Sequence, residues 1–361
     1  MANSSPIRYG KDFVQGTNAT FSDLFLPVYG GEVLAAFEEM SVAKDIVRTM
    51  SMPSGVSMEF PMIHKMSAER HAAGTELLGT DIQTSKRSIT LDERPLVAHF
   101  DLDDVDEAMA HYETRSEIAK QAGRAIAREM DKNVLQLCVR ASRTPAVANT
   151  DFDGGGYKAD PSAALDGTAY ELASGTGANN LPASATGAWN KDNALALLGA
   201  IEDIVVAWDQ RDVPQEERFC VVPTDCWHRL RTIGVPESTS AAAGLIGYYP
   251  FQDGTMPQRG PAEADSSRAG FLTHLGVNIV RSNFLPNGTN TQGIGETNYQ
   301  DDYTKTRAIC IQKQAVGLLT LMGVQTETDR DVRRQTDFFV TKMLYGGGTL
   351  RPECAVEIAI P

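Results

Sequence analysis

The side chains able to do metal or acid–base chemistry are few and scattered. Six histidines, His64, His71, His99, His111, His228 and His274, show none of the short spacings that turn two imidazoles toward one metal ion. Each reads as a surface or packing residue. The five cysteines, Cys138, Cys220, Cys226, Cys310 and Cys354, form no CxxC pair, so neither a zinc knuckle nor a disulfide framework follows. Cys220 and Cys226, beside Trp227 and His228, read as small hydrophobes around a strand. Two acidic clusters have the oxygen chemistry of a hard-cation site. Asp101, Asp103, Asp104 and Asp106, with Glu107, precede an amphipathic helix whose dipole favours them without any ion. Asp151-Phe152-Asp153 and three glycines open like a calcium loop, but the fifth position is Gly155 and the twelfth is Ser162. Neither supplies a carboxylate, so a loop turn is expected. Serine-hydrolase elbows, phosphate loops, zinc-protease helices and dinucleotide fingerprints are all missing from the sequence. It predicts no enzyme, no cofactor and no metal.

Composition narrows the class. The 361 residues carry 33 Lys and Arg against 47 Asp and Glu, a net charge of -14. Hydrophobic residues make up 42% and charged residues 22%, which is globular rather than disordered or fibrous. Such acidity argues against a free protein that gathers on DNA or anionic membrane by bulk charge. The N-terminal MANSSPIRYGKDF lacks the apolar stretch of a secretory signal, and no run of apolar residues has spanning length. A soluble product made in the cytoplasm is expected.

The elements follow from periodicity. Residues 1–26 are polar and mixed, an arm, and Gly30-Gly31 opens a short helix through Phe37. Val56, Met58, Phe60 and Met62 alternate with polar residues and Pro61, and Ile89, Leu91, Leu96, Ala98, Phe100 and Leu102 make a second alternating run. With the polar stretch 65–87 between them, they predict a protruding two-stranded ribbon over 56–104. An isolated ribbon is marginal in water, so this one must rest on another surface. From 106 to 140, Ile118, Ala122, Ile126, Met130, Val134 and Cys138 recur every four residues as the apolar stripe of a long helix. Lys120, Arg124, Arg128 and Lys132 recur at the same interval, offset by two residues and so about 200° round the helix. That basic ridge has three readings: a solvated face, salt bridges to an acidic neighbour, or non-specific contact with nucleic-acid phosphates. Residues 141–190 and 236–270 read as loops. A helix over 193–208, a strand over 219–222, a helix after Pro223, a buried strand over 276–280 and a strand-rich tail from 306 complete an α+β chain.

In this order the pieces resemble the major capsid proteins of short-tailed phages of the T-seven type. The resemblance rests on Tyr29-Gly-Gly-Glu-Val-Leu-Ala-Ala-Phe37, on Glu107 through Glu117, on Val213-Pro214 through Phe219 and then Pro223, on Leu275 through Val280, and on Gly346-Gly-Gly-Thr-Leu-Arg-Pro-Glu353. It implies the HK97-like fold: an N-terminal arm with a short helix (1–55), an extended β-ribbon loop (56–104), a peripheral domain with a spine helix and an inserted loop (105–192), an axial domain (193–305) and a return to the peripheral domain (306–361). The implied function is structural. Copies of the chain would assemble as hexamers and pentamers into an icosahedral head enclosing double-stranded DNA in the virion, put together in the host bacterial cytoplasm. The implied partners are other copies, a scaffolding protein, a portal, packaged DNA by non-specific contact, and a decoration or cement protein, with no membrane. The ribbon would cross to a neighbouring subunit through Met58, Phe60, Met62, Ile89, Leu91 and Phe100. Lys120, Arg124, Arg128 and Lys132 would face the interior. A Lys–Asn crosslink would need a ribbon-tip lysine such as Lys65 or Lys86 and a matching asparagine, and the sequence marks none.

Two other readings compete. An encapsulin-like nanocompartment would share the fold and enclose cargo enzymes. A soluble α+β enzyme would use the ribbon as a dimerisation arm.

Overall fold

The computed structural model describes residues 32–37, 42–63, 70–71, 74, 84–103, 114–144, 170–172, 180–182, 189–210, 213–232, 271–290, 297–331 and 336–360. His64, Lys65, Asp104, Asp106, Glu107, His111, the 151–156 turn and the loop 236–270 lie outside the described residues. The chain divides into two compact units, one of residues 1–41, 91–131 and 320–345, the other of 42–90, 132–319 and 346–361.

The first unit is built on strand pairing. Strand β4 (Leu96–Asp103) runs antiparallel to β13 (Thr336–Thr349), from Leu96 opposite Met343 to Asp103 opposite Thr336. Next to β13 lies β12 (Val316–Asp331). Alternation sends every second side chain of β4 inward. Phe100 stacks on Phe339 with centroids 4.8 Å apart and planes 6° from parallel. Around them pack Leu102, Val324, Val33 of helix α1 (residues 32–37), and Ile118 and Ala119 of a long helix, α3 (Thr114–Arg143). On the opposite face Val97, His99 and Asp101 are exposed, and Lys342 reaches Glu327 at 2.5 Å. The expected ribbon is therefore corrected at its second strand. The run 96–102 belongs to this sheet, because its apolar side chains find a complete partner face on β13 and α3.

Helix α1 meets α3 at Gly123, where an added Cβ would lie 2.4 Å from the carbonyl oxygen of Val33. Only a residue without a side chain lets the two backbones approach this closely. The stripe predicted on α3 is real: Ile118 is half-buried, and Ala122, Ile126, Met130, Val134 and Cys138 are buried.

The second unit centres on a six-stranded mixed sheet, ordered β5 (Tyr170–Glu171), β14 (Ala355–Ala359), β11 (Thr306–Gln312), β6 (Arg218–Val222), β8 (Val277–Arg281) and β7 (Phe271–His274). β6 runs parallel to β8, and β14 parallel to β5. Every residue of β11 and β14 is buried, the pattern of strands covered on both faces. Helix α4 (Lys191–Gln210) packs Leu197, Leu198, Ile201, Ile204, Val205 and Trp208 inward, as the periodicity predicts. Its start is fixed by a reciprocal cap. The Asn193 backbone N–H donates to Asn190 Oδ1 at 2.7 Å, and the Asn190 N–H donates to Asn193 Oδ1 at 3.3 Å. Helix α5 (Thr224–Thr232) follows β6, the short strands β9 (Thr289–Asn290) and β10 (Asp301–Asp302) pair antiparallel, and a four-residue helix, α2 (Ala43–Ile46), lies in the same unit. All five cysteines are buried and free, and burial pushes the Cys138 thiol up to about 12. Cys220 and Cys310 face each other across β6 and β11 as core residues.

Candidate assembly surfaces

The ribbon consists of β2 (Ser57–Ile63) and β3 (Thr84–Thr90), paired antiparallel from Ser57 opposite Thr90 at the root to Ile63 opposite Thr84 toward the tip. Pairing puts Met58 opposite Ile89 and Phe60 opposite Arg87 on one face. The other face is polar, with Lys86 bonded to Glu59 at 2.6 Å. Among the described residues, β2 and β3 pair only with each other.

The six residues expected to cross to a neighbour part company here. Met58 is half-buried, and the Met62 side chain lies outside the described residues. Phe60 is buried in its own chain, its ring 6.0 Å from the Arg48 guanidinium of β1 (Arg48–Ser51). Ile89 is 1% exposed, also within its own subunit. Leu91 is half-buried just past β3, and Phe100 sits in the core of the first unit.

The basic ridge on α3 is graded along its length. Lys120 is half-buried and pairs with Glu117 at 3.3 Å. Arg124 is half-buried, and Arg128 and Lys132 are exposed. The exposed part of the ridge therefore lies toward the helix middle.

Two features of the second unit had no sequence expectation. Arg143, at the end of α3, donates from Nε and Nη2 to the two carboxylate oxygens of Glu357 at 2.7 and 2.8 Å. Glu357 is buried on β14 and also accepts the Thr306 hydroxyl at 2.5 Å. Arg143 further meets Asp301 at 3.1 Å and the Tyr303 ring at 5.5 Å. Although burial opposes its charge, the bidentate Glu357 and nearby Asp301 raise the Arg143 pKa. This fork ties the long helix to the C-terminal strand. Its members lie more than 200 residues apart, so no local pattern could announce the pair.

The second feature is the two-residue turn Leu275-Gly276 between β7 and β8, with His274 paired to Val277. Both turn residues have positive φ, 49° for Leu275 and 80° for Gly276. The mirror-image turn suits Asn or Gly at its first position, yet here it holds a leucine that is 56% exposed. From below, His274 Nε2 lies 3.2 Å from Glu202 Oε1 on α4. The LGV triplet had signalled only a strand.

Residues 59–179 and 252–359 match the family model described as "Gp10A-like: Major capsid protein". The chain belongs to that family. The capsid protein is 26% identical over 341 residues to the "Major capsid protein" of Escherichia phage T7, covering 92% of this chain and 90% of the relative. A solved structure, "Capsid structure of the Cyanophage P-SCSP1u", is 31% identical with a TM-score of 0.65, covering 100% of this chain and 99% of that one. Another, "Asymmetric unit of bacteriophage PhiM1 mature capsid", is 17% identical with a TM-score of 0.63 over 89% and 87% of the two chains and shares the fold. The fold is the HK97-like capsid fold, and the protein is a structural component of a phage capsid, present there in many copies. The nanocompartment alternative is not favoured, because the match is to a phage capsid family over most of the chain.

Proposed function

We propose that the capsid protein closes, as hexamers and pentamers, into an icosahedral head around double-stranded DNA. The ribbon carries this reading. Two strands whose outer backbone edges are unpaired among the described residues are marginal alone and gain most by lying on another copy. Met58 and the outer part of the ribbon are the contact residues, and Phe60 and Ile89 hold its inner end. Weak contacts suffice because closure makes each one part of a multivalent set. Residues 1–55 serve as arm, 105–192 and 306–361 as peripheral domain, and 193–305 as axial domain. The strained, exposed Leu275 fits an axial loop that becomes buried against other copies. A separate scaffolding protein, a portal and a decoration or cement protein complete the assembly in the host bacterial cytoplasm. The ridge, with Arg128 and Lys132 outermost, contacts packaged DNA through phosphates and without base recognition.

Expression with and without the phage's scaffolding protein, followed by sedimentation and negative-stain microscopy, tests this reading. Closed shells are expected, and dimers or tetramers in both arms would refute it. Charge reversal of all four ridge residues should lower DNA retention while leaving empty shells intact.

A further inference from the structure

We propose that Ile89 is a positioning residue for shell assembly, a peg at the ribbon's inner end that sets the direction in which the ribbon leaves its own subunit. The proposal rests on the reading that the ribbon contacts a neighbouring copy. Ile89 stands opposite Met58, one pair from the root of the ribbon. Its side chain enters a socket formed by β12 and β13. A Cβ added to Gly317 would lie 2.6 Å from Ile89 Cδ1, and one added to Gly348 would lie 2.8 Å from Ile89 Cγ1. Leu350 closes the socket, its Cδ1 3.0 Å from the same Gly317 position. Neither glycine has a positive φ, so neither is required by its backbone conformation. Both are required by the space the peg occupies.

The triple glycine of β13 then has a division of labour. A Cβ on Gly347 would meet Leu137 of α3 at 2.5 Å, so successive glycines admit the helix on one side and the ribbon on the other. Most of the rest of the ribbon cannot fix its direction. Ser57, Glu59, Pro61, Lys86, Ser88 and Thr90 are exposed, and the Glu59–Lys86 bridge joins only the two ribbon strands. A buried apolar peg in a close-packed socket resists tilting, because any rotation either opens a void or drives the side chain into backbone. A ribbon held at one angle meets its neighbour without first losing the freedom to swing.

The test measures angle and assembly separately. The native cysteines are buried, so spin labels attach to Ser88→Cys on the ribbon and Gln210→Cys on α4 in unassembled full-length subunits. A narrow distance distribution is expected with Ile89. Ile89→Ala and Gly348→Ala should broaden or shift it, Ile89→Val should preserve it, and the yield of closed shells should fall about fivefold in the first two. If Ile89→Ala fails to fold, Gly348→Ala and Ile89→Val carry the comparison. An unchanged distribution in folded Ile89→Ala or Gly348→Ala overturns the proposal. A broadened distribution with a normal shell yield also overturns it, because the ribbon's angle then has no bearing on assembly, whereas failure of the unsubstituted protein to form shells refutes instead the reading on which it rests.

Discussion

The same substitution at two helical glycines should change stability in opposite directions. Glycine inside a helix costs about 1 kcal/mol relative to alanine. Gly199 on α4 is exposed, and an added Cβ would have nothing within 4 Å. Gly199→Ala should therefore raise subunit stability by about 1 kcal/mol. Gly123 on α3 gains the same propensity but meets the α1 backbone, with its Cβ 2.4 Å from Val33 O, 3.1 Å from Ala36 Cβ and 3.2 Å from Phe37 N. A backbone oxygen cannot swing away as a side-chain end can, so α1 must withdraw by roughly 1 Å and lose a quarter to a half of its dispersion contact there. Overpacking of this kind costs about 1–3 kcal/mol, which outweighs the propensity gain. Gly123→Ala should lower stability by about 1–2 kcal/mol net. Urea unfolding of subunits held below the assembly concentration reads both values, and limited proteolysis near residues 32–37 reads release of α1. Equal stabilisation by the two substitutions would refute the close approach of α1 to α3.

Breaking the Arg143–Glu357 fork should show strong non-additivity. Arg143→Leu leaves a buried carboxylate with its main partner gone and should cost about 3 kcal/mol, whereas the double replacement of both residues by leucine should recover most of that loss in a urea double-mutant cycle. A single-variant cost under about 1 kcal/mol would remove the clamp from the account. Leu275→Asn should stabilise the free subunit by about 1 kcal/mol, since asparagine tolerates the left-handed turn, while weakening capsomer formation in sedimentation; a destabilised subunit would contradict the turn geometry. All five thiols should ignore Ellman's reagent in the folded subunit and react on unfolding; one rapid equivalent in the native protein would contradict their burial.

Periodicity along single elements was legible from the residues. The stripe on α3, the inward face of α4 and the strands at 218–222 and 277–281 all depend on neighbours a few positions away, and their apolar pattern alone decides which side is buried. The order of those elements was enough to suggest a capsid protein. The ribbon shows where that reasoning stops. Alternation at 89–102 looked continuous, but alternation says only that a strand has two faces, not which strand it joins. Pairing joined 84–90 to β2 and 96–103 to β13, separating Ile89 from Phe100. Ile89 thereby became a peg in its own subunit, and Phe100 became part of the core of the first unit. The Arg143–Glu357 fork, the Gly123 approach and the two-glycine socket share that origin. Each is a contact between residues distant in sequence, and its meaning lies in the space one side chain leaves for another. Composition and spacing determined what each element is; only the tertiary structure decided what it touches.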